Sequence, residues 1–143
     1  MEWASAIIFL SDRGLDHWPF KSGSRPIHGE SLGRISDARR LIDSQDGLLV
    51  LIDGRTNESA ALATLAGLAD AAAAARMGLY VLADPRQSHF LEHAFDAGAD
   101  GFVPVGKARQ AADTGLLALR FALRAVTRGR QAETGRAVLL AER

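Results

Sequence analysis

The chain has 143 residues, 48% apolar and 24% charged, and its 17 Lys and Arg balance 17 Asp and Glu. That size suits one domain with one core. A net charge of zero argues against a nucleic-acid footprint and gives no pull towards an anionic membrane; with no cysteine there is no disulfide framework and no thiolate metal site.

The N-terminus does not read as a signal peptide, because Glu2 precedes a short apolar stretch that Asp12 and Arg13 soon close. Ala-rich 60-AALATLAGLADAAAAARMGLYVLA-83 comes nearest to a membrane span, but Asp70 and Arg76 interrupt it. A cytoplasmic location is the expectation. The first element, 5-SAIIFLS-11, reads as a buried strand. The segment 12-DRGLDHWPFKSGSR-25 occupies the place of a first helix, yet Gly14, Pro19 and Gly23 break any period, so that helix is expected to be short, distorted or absent. A weak second strand is expected in 25-RPIHGES-31, then a helix over 36-SDARRLIDSQ-45 with Ser36 as N-cap.

The run 48-LLVLI-52 is apolar at every position, as a strand of a parallel sheet buried on both faces would be. A helix follows over 57–76, capped by Thr56 or Asn57 and stopped near Gly78, and then the buried strand 79-LYVLA-83. In 84-DPRQ-87, Asp84 suits an N-cap, Pro85 the first helical position and Gln87 a capping box; that helix should stop at Gly98. A short strand, 101-GFVPV-105, precedes a long helix from Ala108 to about Arg128. Strands alternating with helices in this way predict a doubly wound α/β sheet. The domain is expected over 1–128. The tail 129-GRQAETGRAVLLAER-143, with Gly129 and Gly135, reads as a linker towards an output domain.

Three stretches in register, 47-GLLVLIDGR-55, 79-LYVLAD-84 and 98-GADGFVPV-105, resemble the receiver domain of bacterial response regulators. The resemblance covers about Ile7 to Val126 and is strongest from Leu48 to Val105. It implies a five-stranded parallel sheet in the flavodoxin-like order, with a site at the carboxyl ends of the strands. In that family an Asp accepts a phosphoryl group from a histidine kinase, acidic residues after the first strand hold Mg²⁺ with it, a hydroxyl and a Lys bind the phosphoryl oxygens, and an aromatic switches rotamer. Carried over, Asp53 falls on the phosphoacceptor, and Asp12 with Asp53 on what remains of the metal site. Ser11 stands where a second acid is expected, Ala83 on the hydroxyl position and Val105 on the Lys position. Gly106 replaces a Pro, Lys107 lies two residues beyond the Lys position, and Phe102 retains the switch ring.

A phosphoaspartate adds roughly two negative charges, which need cationic or hydrogen-bonding partners. With alkyl groups at Ala83 and Val105, the resemblance implies a degenerate receiver: a non-catalytic regulatory and dimerisation module, with no required cofactor and Mg²⁺ at most weakly held. The alternative is a working phosphoreceiver within a phosphorelay, fed by a histidine kinase at Asp53. Two other motifs compete. 29-GESLG-33 matches a nucleophile elbow, with Asp84 and His89 following in hydrolase order, but lacks a firm strand before it; 89-HFLEH-93 matches a zinc-peptidase spacing but lacks a third ligand. Leu91 and Phe95 are expected to face the core beside those histidines.

The last helix carries two apolar stripes. Ala112, Leu116, Leu119, Leu123 and Val126 suit the sheet; Thr114, Leu117, Phe121 and Ala125 form a second, and Leu117 and Phe121 are the candidate dimer face. The end 138-VLLAER-143 resembles the connector that often precedes a diguanylate cyclase domain, which implies an output domain in cis.

Overall fold

The computed structural model describes residues 6–20, 27–28, 32, 34–44, 47–106 and 109–141. Strand β1 spans Ile7–Leu10, and a 3-10 turn at Gly14–His17 follows it. Then come β2 (Ile27–His28), α1 (Ile35–Ser44), β3 (Leu49–Asp53), α2 (Glu58–Ala74), β4 (Gly78–Ala83), α3 (Ser88–Asp96), β5 (Gly101–Pro104) and α4 (Arg109–Ala141). The five strands are parallel in the order β2-β1-β3-β4-β5. This is the expected doubly wound sheet, and the element in place of a first helix is the four-residue 3-10 turn.

The strands alternate their side chains between two cores. Ile8, Leu10, Val50, Ile52, Leu79 and Val81 pack against α1, α2 and α3. Ile7, Phe9, Leu49, Leu51, Leu82 and Val103 pack against Leu119, Ala122 and Leu123 of α4. Both faces of β3 are buried, which is why its sequence is apolar without alternation. On the α4 side Trp18 and Phe20 fill the space that a first helix would take. Their rings stand edge-on in series, Phe9 to Trp18 at 5.1 Å and Trp18 to Phe20 at 5.2 Å.

Helix ends differ from the sequence reading in three places. Helix α1 begins at Ile35, so Ser36 lies inside it rather than capping it. Helix α3 begins at Ser88 behind a tight turn: Gln87 N–H donates to the Asp84 carbonyl at 2.9 Å and the Asp84 carboxylate is turned onto Arg86, while the expected back-reaching contact of Gln87 is made, its Oε1 accepting from Asp84 N–H at 2.8 Å. The register that follows buries Phe90 and Ala94 and leaves Phe95 77% exposed, so Phe95 does not face the core; Leu91 is half-buried against it. Helix α4 does not break at Gly129 and runs through Gly135 to Ala141.

Asn57 caps α2 by accepting from Ala60 N–H at 3.1 Å. Helices α2 and α3 finish in the same paired motif. Arg76 N–H bonds Ala73 O and Met77 N–H bonds Ala72 O; Gly98 N–H bonds Phe95 O and Ala99 N–H bonds Ala94 O. The motif puts one residue in the left-handed region. Gly98 takes it freely at φ +112°, whereas Arg76 holds φ +57° with a side chain.

Candidate functional site

The carboxyl ends of β1, β3 and β4, with the residue after β5, bring together Ser11, Asp53, Ala83 and Val105, all buried. Asp12 is exposed in the turn after β1. Phe102 is 42% exposed on β5, while Leu117 and Phe121 on α4 are 53% and 58% exposed. The motif at 29–33 lies outside the described residues except for Leu32. His89 and His93 are exposed on α3, and no group of three His, Cys, Asp or Glu side chains is placed to hold a metal among the described residues.

Asp53 is 0% exposed, and its carboxylate is fully engaged by this chain's own donors. Arg55 grips it with a two-pronged fork, Nε to Oδ1 at 2.9 Å and Nη2 to Oδ2 at 3.0 Å, and adds its backbone N–H to Oδ1 at 3.0 Å. On the other side Oδ2 accepts from Ser11 Oγ at 2.9 Å and lies 2.7 Å from His17 Nδ1. Arg55 Nη2 also donates to the His17 carbonyl. The 3-10 turn is thereby fastened to the end of β3.

Local sequence explains the fork. Gly54 passes directly over Phe90, where a Cβ would lie 2.3 Å from the ring. That close passage lets the chain turn so that Arg55 reaches back two residues. Gln87 holds the turn from outside, donating to Gly54 O at 2.9 Å and to Glu58 Oε2 at 3.0 Å.

Burial alone would push the Asp53 carboxyl up. The hydrogen bonds and charge of Arg55, with the Ser11 hydroxyl, outweigh it and hold the group below its ordinary value. The carboxylate is therefore ionised at neutral pH and its lone pairs are spent. The donor set does not fit Mg²⁺. A hard divalent cation needs several oxygen ligands around it, and here a guanidinium already occupies the carboxylate while Ser11 offers one neutral hydroxyl. Arg55 and His17 were missed from sequence. The signal for Arg55 was its place two residues after Asp53 across a glycine; for His17 no periodicity could point at a four-residue turn.

Solved structures place this architecture. The chain matches NtrX from Brucella abortus over 90% of its own length and 29% of the NtrX chain, at 16% identity and TM-score 0.64. The chain has the receiver-domain fold. The chain also matches a response regulator from Burkholderia pseudomallei with a phosphorylated aspartic acid, a calcium ion and citrate, at 16% identity and TM-score 0.53 over 89% of this chain and 74% of that one. A third similar structure is that of an atypical orphan response regulator described with a phosphorylation-independent regulatory mechanism, at 17% identity and TM-score 0.51 over 82% of this chain and 95% of that one. No protein-family model and no curated protein matches the sequence. No described helix is long and apolar enough to cross a membrane.

Proposed function

We propose that this chain is a degenerate receiver, a regulatory module of bacterial signal transduction that works without phosphoryl transfer and without Mg²⁺. One observation carries the reading: the buried Asp53 carboxylate is closed by Arg55, Ser11 and His17. A phosphoryl donor would have to displace a two-pronged ion pair to reach either oxygen. Any phosphoryl group delivered there would meet alkyl groups at Ala83 and Val105. Under this reading a histidine kinase is not the input, and the module performs no catalysis.

Its work is instead association and the positioning of an output domain in cis. The exposed apolar stripe of Leu117 and Phe121 supports a homodimer through α4, since a two-fold pair covers the same patch twice. The chain spans 29% of NtrX, which fits a module within a longer signalling protein. The tail at 138–143 favours a cyclase-type output over others. Dimerisation is checked by sedimentation: Phe121→Glu is expected to convert dimer to monomer at equal protein concentration.

The deciding experiment is intact-mass spectrometry after incubation with acetyl phosphate and Mg²⁺, beside an Asp53→Asn control. No adduct on folded protein is expected. A phosphoryl adduct that disappears in the control would make Asp53 a working acceptor and overturn the reading.

A further inference from the structure

Helix α4 has 33 residues and so is about 50 Å long, against about 20 Å for the longest strand of the sheet. It has to overhang the body. Its packing fades along its length: Leu119, Ala122 and Leu123 are buried, Val126 and Thr127 half-buried, Arg128 and Gly129 exposed. A Cβ at Gly129 would meet nothing within 4 Å, so no close approach demands glycine there. Glycine is the residue that most weakens a helix interior short of proline. Of the three glycines of α4, Gly115 is held tight against Pro104, while Gly129 sits where the packing of the helix against the sheet ends.

The next residue crosses back to the body. Arg130 Nε donates to Arg76 O at 2.9 Å, and Nη2 donates to Gly47 O at 3.0 Å and Ala75 O at 3.2 Å. Ala75 and Arg76 form the end of α2, where helix carbonyls lack partners within the helix and the dipole favours a cation. Gly47 leads into β3. One guanidinium thus ties α4 to α2 and to the central strand. Beyond it, Gln131 and Ala132 are exposed.

We infer that Arg130 is a latch across a hinge at Gly129, fixing the direction in which α4 leaves the domain. This deepens the regulatory reading above, because whatever follows α4 inherits that direction. Its test does not involve phosphorylation, so the two can fail separately.

The chain has no cysteine, so pairs introduced for spin labels react alone. Cysteines replace Ala66 on α2 and Ala132 beyond the latch; a control pair uses Ala66 and Ala125 before the hinge, and all three sites are exposed. Pulsed electron double resonance on the full chain, with the labelled protein diluted into an excess of unlabelled protein so that only distances within one molecule are read, gives each distance distribution. With Arg130 present both pairs are expected to give one narrow distribution. Arg130→Gln is expected to widen the Ala66–Ala132 distribution about twofold and leave the control narrow. Adding Gly129→Ala should narrow it again. If Arg130→Gln fails to fold by circular dichroism, Arg130→Lys keeps the charge without the fork and should widen it too. An unchanged width overturns the latch. Widening of the control pair as well, or no recovery with Gly129→Ala, overturns the hinge.

Discussion

Two arginines close the two ends of this sheet against different kinds of oxygen. At the carboxyl ends of the strands Arg55 neutralises a buried carboxylate. At the amino ends Arg130 bonds three neutral carbonyls. The first contact is a matter of charge, and losing it leaves an ion stranded in the core. The second is a matter of geometry, and losing it leaves carbonyls that water can reach. The same kind of side chain thus holds a buried carboxylate at one end and bonds the last helix to the body at the other.

That contrast makes the largest prediction. Arg55→Ala should cost about 3 kcal/mol in urea unfolding at pH 7, because it removes one partner of a buried pair. Asp53→Leu with Arg55→Leu should recover most of the loss, since neither charge is then buried alone. If the single variant costs no more than an ordinary surface change, Arg55 is not the group that holds Asp53.

The pH dependence separates the two ends further. The folded Asp53 carboxyl titrates below its ordinary value of 3.8, so the unfolded chain binds the extra proton. Its contribution is present in full well above 3.8 and is lost as pH falls through the lower folded value. Unfolding free energies measured from pH 7 to 3 should fall at the acid end, and Asp53→Asn should flatten that fall. Arg130→Gln should lower the whole curve by about 1.5 kcal/mol without changing its slope, because its acceptors do not titrate. A slope that changes in the Arg130 variant would show that the two ends are coupled.

The smallest effect is a gain. Arg76→Gly should raise the unfolding free energy in urea by about 1 kcal/mol, since a side chain is carried at φ +57° in a position that Gly98 fills without strain in the sister motif. Equal stability would mean that the Arg76 side chain repays its backbone.

Much of the fold was legible because it rests on local pattern. Leu49 to Ile52 are apolar at every position since both sheet faces are covered, and the broken period that begins at residue 12 agrees with the four-residue 3-10 turn Gly14–His17 among the described residues. Asp53 was legible as a strand-end carboxylate. Its closure was not, because Arg55 reaches back around a turn and His17 arrives from another loop, and neither pairing follows a helix or strand period. Phe95 was misplaced for a related reason: the turn at Asp84–Gln87 delays α3 to Ser88, and that start fixes Phe90 and Ala94 as the inward pair. Gly129 read as a stop, yet the residues around it favour helix, and Arg130 finds its acceptors 54, 55 and 83 residues away in sequence.

Strand β5 lies at the outer edge of the sheet and ends in Pro104. Val105 N–H points inward to Ala83 O at 2.9 Å, so in the alternation of the ladder the nitrogen of Pro104 faces outward, where proline offers no donor. An incoming strand from another molecule would find a gap in the row of bonds it needs. This edge resists growth into a shared intermolecular sheet, and copies that meet on this side must recognise one another through side chains.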